Sequence, residues 1–567
     1  MKRIALLAAL AALAAPVAAA SQITEAVVRS YLWPSSRADF EGAAATLGAD
    51  EGTVGISREA MAQVASWMKA GRSFAAPAGP GDAVRQMLVD APGGRQVPVL
   101  IRLPSAYSPD RPWPLMFAMH GGPPGSVEGA RRSAENMLSV WTDAAESAGW
   151  IIASPAMVDV VSRDGRTEDR LPYEIFQPEE ARAVIDAVRE RFNVDSDRMV
   201  STGISLGSNF SIAYGAAHPD WFSAIVPVST EGESRERLLR NLALVPTYVL
   251  NGAQDQNIRG VSGPRALNQI MTDLGHDLVY QEFSDRAHEG FQEHYPGVLE
   301  WIAARPRSLA PTEVVRVPHS GIVPVDRRVH WVETDTRQGL VRAEIVGPTK
   351  IEVTARRTGT VTVFLNDDLV DLERELGIVV NGQLVYSGPV RRSARVALEE
   401  ARRLNDERRV YSARVVLPVT DTPTGRAAAA ELSDELAPTH AAGTLSFWEM
   451  YAVRALEERF PTVGFDGREV PLPDGVRRAP EQIGVRVDRV DARSPAAEAG
   501  LRVGDVLVSF GGEPFFEEAG GVAALYHWLV RELRSTPSDY ELVVLRDAQR
   551  FELSASYVLG PYRVPGA

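Results

Sequence analysis

The middle of the chain is predicted to adopt an α/β fold with a doubly wound, mostly parallel sheet, on three observations. Apolar runs typical of buried strands alternate with helix-compatible stretches between residues 81 and 306, and this order favours parallel strands with helices on both faces. One short strand, Met199–Thr202, leads through a tight turn into a helix-compatible segment that begins at Ser208. From Glu313 onwards the apolar residues alternate with period 2, which predicts a separate β unit.

The composition argues against several classes of protein. The chain has 567 residues, with 60 Lys and Arg against 74 Asp and Glu, and its formal net charge is −14. This balance, without a basic cluster, argues against nucleic acid binding. There is no cysteine, which excludes disulfides, thiolate chemistry and cysteine-ligated metal sites. We expect no metal ion and no other cofactor, and the length allows about three or four domains.

Residues 1–20 have the pattern of a secretory signal peptide. Lys2 and Arg3 give a basic start, Ile4–Ala15 is an apolar run, and Ala18–Ala20 offers small residues for cleavage. The apolar run is too short to span a bilayer, and no later stretch is long and apolar enough to do so. We therefore expect a periplasmic or secreted protein without a transmembrane anchor.

Residues 21–80 are predicted to be a helical segment that packs against the rest of the chain. Ser57 can cap a helix over Glu59–Lys69 that ends at Gly71. The α/β unit is assigned to residues 81–306. Its predicted strands are Val84–Val89, Val97–Leu103, Leu115–Met119, Trp150–Ser154, Met199–Thr202, Ala224–Val228, Pro246–Leu250 and Leu278–Phe283.

Residues 311–420 are expected to form a small antiparallel β domain. Short segments with alternating apolar and polar residues recur through them, and Asn381-Gly382 lies between two such segments as a strong hairpin signal. Val396–Leu404 is predicted to be a helix within this domain.

Residues 421–478 are rich in alanine and charged residues and predict a helical connector. Its helices are expected near Arg426–Leu436 and Leu445–Phe460. Residues 479–560 then predict a compact α+β domain of ordinary size, which is expected to fold on its own.

A tight turn with a serine at its apex is the first chemical signal. Gly203-Ile204-Ser205-Leu206-Gly207 fits the pattern G-x-S-x-G. A serine on so sharp a turn has a strained backbone and an exposed Oγ, and side chains at the two glycines would collide with the neighbouring strand or helix. The alternative is an ordinary Gly/Ser turn. The strand before the turn and the helix after it favour a nucleophile, Ser205.

A serine nucleophile needs a base and a group that orients the base. In open α/β sheets such residues follow the carboxyl ends of strands. Asp255 is the first acid after the predicted strand Pro246–Leu250, and His288 is the first histidine after the last predicted strand. We predict that Asp255 orients the base and that His288 is the base.

Four other residues are weaker candidates for these two roles. Glu231 and Glu233 follow an earlier strand, which is a less usual place for the acid. His276 precedes the last strand and so lies at the wrong end of it. His294 lies at least a turn beyond His288 and is expected on the following helix.

An oxyanion formed at the serine would need two backbone N–H donors. One is predicted to be the N–H of Leu206, the residue after the nucleophile, and the other to come from the loop after the strand 115–119. Both Gly121 and Gly122 have an N–H there, whereas Pro123 has none. We favour Gly122. The same glycines could also serve as a tight turn by which the chain leaves the sheet.

These motifs together resemble the α/β-hydrolase superfamily. They are, in chain order, His120-Gly-Gly-Pro, the turn at Ser205, Asp255 and His288. The run Asn193–Gly207 is particularly similar to the secreted esterase and prolyl-oligopeptidase-like branches, and the resemblance covers about residues 82–306. It implies acyl transfer to water through an acyl-serine intermediate, with carboxylic ester hydrolysis as the expected reaction and peptide hydrolysis as the alternative.

The run Ser494–Leu507, SPAAEAGLRVGDVL, resembles bacterial PDZ domains. That resemblance implies an extended peptide C-terminus as a partner, with its carboxylate held by the N–H groups of Ile483, Gly484 and Val485. A domain used only for intramolecular packing is the alternative. The PDZ resemblance also allows a third interpretation of the whole chain, as an interaction protein with an inactive hydrolase fold. The complete set of serine, histidine and acid argues against this interpretation.

Overall fold

A computed structural model describes most of the chain. The described residues are 23–48, 55–77, 83–91, 95–122, 127–157, 178–233, 235–256, 261–318, 325–420, 422–439, 460–516, 540–556 and 558–560. The predicted signal peptide, residues 1–20, lies outside these ranges. None of the helices within them is long and apolar enough to cross a membrane.

Within the described residues, three helices precede the first strand. They are α1 (Glu25–Leu32), α2 (Arg37–Gly48) and α3 (Arg58–Lys69). Ser57 caps α3, since its Oγ accepts a hydrogen bond from the Ala60 N–H at 3.2 Å. This is the cap that the sequence predicts, because a hydroxyl at that position satisfies an N–H that the first helical turn leaves without a partner.

An eight-stranded, mostly parallel sheet forms the centre of the α/β unit, as predicted. Its strand order is β1-β2-β4-β3-β5-β6-β7-β8, and β2 runs antiparallel to both of its neighbours while the others are parallel. The strands are β1 (Arg85–Ala91), β2 (Arg95–Arg102), β3 (Trp113–Met119), β4 (Ile151–Pro155), β5 (Val194–Ile204), β6 (Ala224–Val228), β7 (Thr247–Gly252) and β8 (Leu278–Phe283).

Helices cover both faces of this sheet, which explains why its central strands are apolar throughout. The helices are α4 (Val127–Ala148), α5 (Pro178–Arg191), α6 (Leu206–Ala217), α7 (Glu236–Leu239), α8 (Ser262–Asp273) and α9 (Tyr295–Ala303), with 3₁₀ turns at Arg240–Leu242 and Gln292–His294. Helices α4 and α9 pack on one face, and α5, α6 and α8 pack on the other. The carboxyl ends of the parallel strands are left for loops.

Two sheets follow, where the sequence predicts a small β domain. One has the order β10-β11-β14-β17 and the other β16-β15-β13-β12-β9. Nearly all neighbours are antiparallel, but β13 and β15 run parallel. The elements are β9 (Glu313–Arg316), β10 (Arg328–Val329), β11 (Val332–Thr334), β12 (Leu340–Gly347), β13 (Lys350–Arg356), β14 (Thr360–Leu365), β15 (Glu375–Val380), β16 (Gln383–Pro389), α10 (Ala394–Leu404) and β17 (Ala413–Pro418).

The predicted hairpin turn lies between β15 and β16. Asn381 and Gly382 have φ angles of 49° and 75°, which is the left-handed pair that a two-residue type I′ turn requires. Helix α10, next in the chain, is covered by the N-terminal helices: Val28 of α1, Leu47 of α2 and Met68 of α3 share one apolar core with it.

A buried ionic cluster joins the α/β unit to the β sheets. Arg307 bonds to Asp406 at 2.6 Å and to Asp197 at 3.1 Å. Arg409 in turn bonds to Asp406 at 2.7 Å and pairs with Asp220. All five side chains are largely buried. Each buried charge therefore has at least one opposite partner, as buried charges require, and the bonds cross from one unit to the other.

The last unit begins earlier than predicted. Its six-stranded sheet has the order β19-β20-β22-β21-β23-β24, and β18 pairs with β25 beside it. Strands β18 and β19 lie within residues 460–471, which the sequence assigns to the helical connector. Helix α11 (Pro423–Glu435) precedes this unit. The elements of the unit are β18 (Phe460–Thr462), β19 (Phe465–Pro471), β20 (Gln482–Val490), α12 (Pro495–Glu498), β21 (Val506–Phe510), β22 (Glu513–Phe516), β23 (Tyr540–Arg546), β24 (Gln549–Ala555) and β25 (Val558–Gly560).

The reason for this correction is long-range pairing. Strand β19 pairs with β20 over its whole length, and Phe465 enters the same core as Val485 and Val487. The connector helix predicted near Arg426–Leu436 corresponds to α11, whereas most of the one predicted near Leu445–Phe460 lies outside the described residues.

Candidate active site

Ser205 occupies the sharp turn between β5 and α6. Its backbone has φ 56° and ψ −120°, a strained conformation for a residue with a side chain. The Ser205 N–H donates to the Val228 carbonyl at 3.0 Å, which ties the turn to β6. Strain of this kind persists only where the surrounding structure fixes it, so the turn holds the serine in one orientation.

The two flanking glycines are required by close contacts. A Cβ added at Gly203 would lie 2.2 Å from the carbonyl carbon of Gly207, and a Cβ at Gly207 would lie 2.1 Å from the Met119 carbonyl oxygen. Real Cβ atoms are not found at such distances from backbone atoms. The turn is therefore open only to glycine at both positions, as the sequence motif predicts.

Asp255 and His288 meet across the ends of β7 and β8. Asp255 follows β7, and His288 lies in the loop after β8. The His288 Nδ1 donates to the Asp255 Oδ2 at 2.8 Å. The acid side chain is 3% exposed and the imidazole 29%. Because Nδ1 carries the proton in this bond, the neutral imidazole keeps a lone pair on Nε2, where it can accept a proton.

Backbone contacts hold these two loops together. The Gln254 N–H donates to the Arg286 carbonyl at 2.9 Å. A Cβ at Gly252 would lie 2.3 Å from the Ala287 carbonyl oxygen. The absence of a side chain at position 252 thus permits the close approach that brings the carboxylate to the imidazole.

The rival residues have other surroundings. His294 packs against Phe283, with ring centroids 4.3 Å apart. His276 is largely buried, and burial, followed by the charge of Arg240, lowers the pKa of its imidazole to about 4. Glu233 forms an ion pair with Arg235 at 2.6 Å. Glu231 is buried, at 3% exposure.

The loop after β3 lies against the serine. A Cβ at Gly121 would be 3.1 Å from the Ser205 Cβ. The buried ring of His120 holds this loop: its Nε2 accepts from the Met157 N–H at 3.0 Å, so its Nδ1 carries the proton and donates to the Gly121 carbonyl at 3.0 Å. In a planar trans peptide the N–H points away from the carbonyl, so the Gly122 N–H points away from His120.

The other predicted donor, the Leu206 N–H, is the first N–H of α6. The first N–H groups of a helix have no acceptor within the helix, and they carry the positive end of its dipole. Such a position suits an N–H that stabilises negative charge. His120 is not assigned a role from the sequence motifs, although it stands directly before Gly121 and Gly122.

The residues predicted to bind a peptide carboxylate are wrongly assigned. Ile483, Gly484 and Val485 lie inside β20, where all three face β19, and Val485 also faces Leu507 of β21. Their backbone groups belong to the sheet and cannot form a carboxylate-binding loop. Within the described part of the chain, β19 and β24 are the outermost strands of this sheet, and only an outermost strand can accept an added peptide.

Within the same described ranges, no group of three or more His, Asp or Glu side chains is arranged to hold a metal ion. The candidate site consists of a strained serine, a hydrogen-bonded acid and histidine, and a glycine loop beside the serine. These are the components of nucleophilic acyl transfer.

Comparisons with known proteins match parts of the chain. Residues 486–525 match the PDZ domain family model. The protein named "Putative esterase NocK", from Nocardia uniformis subsp. tsuyamanensis, is 27% identical over 143 residues, which is 25% of this chain and 40% of that protein. The chain thus spans about two fifths of the length of this curated relative.

Solved structures are similar over about the same share of the chain. A thermostable esterase is 19% identical, with a TM-score of 0.34, over 40% of this chain and 64% of its own. The S-formylglutathione hydrolase of Agrobacterium tumefaciens is 12% identical, with a TM-score of 0.32, over 41% and 98%. Dipeptidyl peptidase 4 of Porphyromonas gingivalis is 14% identical, with a TM-score of 0.32, over 40% and 36%.

The strand order, the strained serine turn between β5 and α6 and the order of Ser205, Asp255 and His288 along the chain agree with the resemblance found in the sequence. The chain therefore has the α/β-hydrolase fold, with a PDZ domain towards its carboxyl-terminal end.

Proposed function

We propose that this protein is an exported serine hydrolase that cleaves carboxylic esters through an acyl-Ser205 intermediate. The observation that carries the proposal is the 2.8 Å bond between His288 and the buried Asp255, formed at the same edge of the sheet as the strained turn of Ser205. The His288 Nε2 is the acceptor for a proton from the serine. The pattern of residues 1–20 supports export.

In the proposed mechanism, the Ser205 Oγ attacks the ester carbonyl carbon while its proton passes to the His288 Nε2. The N–H groups of Gly122 and Leu206 stabilise the oxyanion. The C–O bond to the alcohol then breaks, and the alcohol leaves with the proton from His288. A water molecule, deprotonated by His288, then attacks the acyl carbon. The bond from this carbon to the Ser205 Oγ breaks, the acid leaves, and His288 returns the proton to Oγ.

Peptide hydrolysis is the second candidate, and the PDZ match supports it, because a domain that binds extended peptides would deliver a peptide substrate. The similarity to a relative described as an esterase favours the ester. A panel of p-nitrophenyl esters of increasing acyl length, measured beside chromogenic peptides, separates the two reactions by kcat/KM.

Labelling with a fluorophosphonate probe tests the nucleophile. We expect covalent labelling at Ser205 and none in Ser205→Ala. Loss of the nucleophile should lower kcat by on the order of a millionfold, leaving only what binding and the oxyanion donors supply. Labelling at another serine, or more than a few per cent of activity in a folded Ser205→Ala protein, would contradict the assignment. Failure to label the wild-type protein would favour an interaction protein with an inactive hydrolase fold.

A further inference from the structure

Ser229 lies directly after β6 and has no part in the mechanism above. It is fully buried, at 0% exposure, and its backbone is in the left-handed region, with φ 45°. The Ser229 N–H donates to the Leu250 carbonyl of β7 at 2.9 Å. This conformation is strained for a residue with a side chain, and residues held in such conformations cluster at functional sites.

The Ser229 hydroxyl makes two hydrogen bonds with one residue. Its Oγ donates to the Glu289 carbonyl at 2.6 Å and accepts from the Glu289 N–H at 3.1 Å. That N–H belongs to the peptide group that joins His288 to Glu289. Because the peptide group is planar, a fixed N–H also fixes the direction of the His288 carbonyl and limits rotation about the His288 backbone.

The loop that carries His288 is therefore held on both sides of the histidine. Before it, the Arg286 carbonyl accepts from the Gln254 N–H of the loop that carries Asp255. After it, Glu289 is held by Ser229. The ring itself is held by Asp255 at 2.8 Å.

We propose that Ser229 is a positioning residue, which holds the His288 loop so that the imidazole stays on Asp255 and within reach of Ser205. This inference rests on the proposed function, in which His288 is the base. Small displacements of a catalytic group reduce turnover strongly, because the reacting atoms must be held in a narrow range of distance and direction.

Ser223 provides a matched control, because it flanks the other end of β6. It is also buried, at 1% exposure, and its Oγ also donates to a backbone carbonyl, that of Met199, at 3.1 Å. Met199 lies on β5, away from the His288 loop. Alanine at position 223 thus removes one buried serine hydroxyl that flanks the same strand, without touching the proposed site.

The experiment compares Ser229→Ala and Ser223→Ala in the full chain. We expect Ser229→Ala to lower kcat for a p-nitrophenyl ester by on the order of 10- to 100-fold with little change in KM. The downfield ¹H resonance of the His288 Nδ1 proton, identified by its absence in Asp255→Asn, should broaden or disappear. Ser223→Ala should keep both kcat and the resonance. Because glycine suits a positive φ, Ser229→Gly repeats the test should the alanine variant not fold.

Equal kcat and an unchanged resonance in both serine variants would overturn the proposal, while fluorophosphonate labelling of Ser205 would still support the hydrolase. If the wild-type protein neither turns over nor is labelled, the proposed function fails. The resonance then decides alone: its loss in Ser229→Ala or Ser229→Gly, but not in Ser223→Ala, supports Ser229 as the residue that positions His288, and its retention overturns that role.

Discussion

His288 differs from the other two histidines near the end of the α/β unit in what its ring contacts. Its Nδ1 is bonded to a buried carboxylate, whereas His294 packs on an aromatic ring and His276 is kept neutral by burial, its pKa lowered to about 4. These contacts distinguish His288 from the other two histidines. A carboxylate partner fixes the tautomer of an imidazole and stabilises the cation that it forms on taking a proton.

We expect His288→Ala to be as damaging to ester hydrolysis as Ser205→Ala, because base and nucleophile act as one unit. Asp255→Asn should lower kcat by on the order of 10⁴-fold, since it favours the wrong tautomer without removing the base. His276→Ala and His294→Ala are the controls and should keep most of the activity. The measurement is kcat/KM on a p-nitrophenyl ester, with circular dichroism to establish folding. An inactive, folded His294→Ala would show that the wrong histidine has been assigned.

At the scale of elements, the strand ends decide where the reactive groups lie. The loop after β7 and the loop after β8 approach so closely that position 252 has no room for a Cβ, which would lie 2.3 Å from a backbone oxygen. This close approach depends on both loops, and a methyl group added at position 252 tests whether the site requires it.

Gly252→Ala should push the Asp255 loop away from the His288 loop and lower kcat by on the order of 100-fold, because a displacement of about 1 Å can cost that much. Gly297→Ala is the matched control. Gly297 lies in α9, and a Cβ there would meet nothing within 4 Å, so alanine should leave activity unchanged and stabilise the helix by about 1 kcal/mol. The test compares kcat and thermal midpoints. Normal activity in Gly252→Ala would mean that the loops adapt.

The sequence predicts those elements that local patterns determine. Strands of the central sheet, the glycines at 203 and 207 and the Asn381-Gly382 turn all follow from residues close to one another in the chain. Asp255 and His288 were also found, because each is the first suitable residue after a strand end. Their contact confirms the placement of the two loops in space, while their catalytic roles stay predictions.

Features that depend on distant partners were missed. Strands β18 and β19 have no strong alternation of their own and are recognisable only through pairing with β25 and β20. The assignment of residues 483–485 to a carboxylate-binding loop failed because β20 has neighbours on both edges, which the sequence does not reveal. Ser229 gave no signal, since its partner, Glu289, lies 60 positions away.

At the scale of the whole molecule, charge as well as apolar packing joins the units. Asp406 lies between Arg307 and Arg409. Its burial alone would raise the pKa of the carboxyl, but the two guanidinium groups hold that pKa well below its usual range. A carboxyl with a lowered pKa in the folded state stabilises the fold above its unfolded pKa of about 3.9 and loses that contribution as the pH falls through its folded pKa.

Asp406→Asn should lower the free energy of unfolding by about 3–5 kcal/mol, because it leaves two buried guanidinium groups without their shared partner. Asp474→Asn removes an acid from an exposed pair with Arg477, where the Asp474 side chain is 91% exposed, and should change stability little. Urea unfolding followed by fluorescence measures both. The stability difference between wild type and Asp406→Asn should also shrink as the pH is lowered towards 3. Equal effects of the two substitutions at neutral pH would show that the cluster does not hold the units together.

The PDZ domain docks on the β sheets through a few polar contacts. The Glu513 carboxylate accepts from the Arg337 N–H at 2.8 Å, the Gln338 side chain donates to the Pro514 carbonyl at 2.9 Å, and Glu481 accepts from the Arg357 N–H at 3.2 Å. None of the predicted catalytic residues lies in this domain. Since β18 pairs with β25 and β19 pairs with β20, a cut at residue 478 would divide the domain, and the division belongs before residue 460.

A chain that ends after Thr439 should therefore keep its kcat/KM for a small p-nitrophenyl ester within about twofold, because the predicted catalytic residues lie in a unit that has its own apolar core. If the PDZ domain presents substrate, the same truncation should lower kcat/KM for a long peptide ester, since tethering raises the effective concentration of substrate at the site. If the domain only packs, both substrates should respond alike and the thermal midpoint should fall by a few degrees. The measurement is kcat/KM for both substrates on the full and the truncated chains. Loss of small-ester activity in a truncated protein that is still folded would show that the PDZ domain contributes to the active site itself.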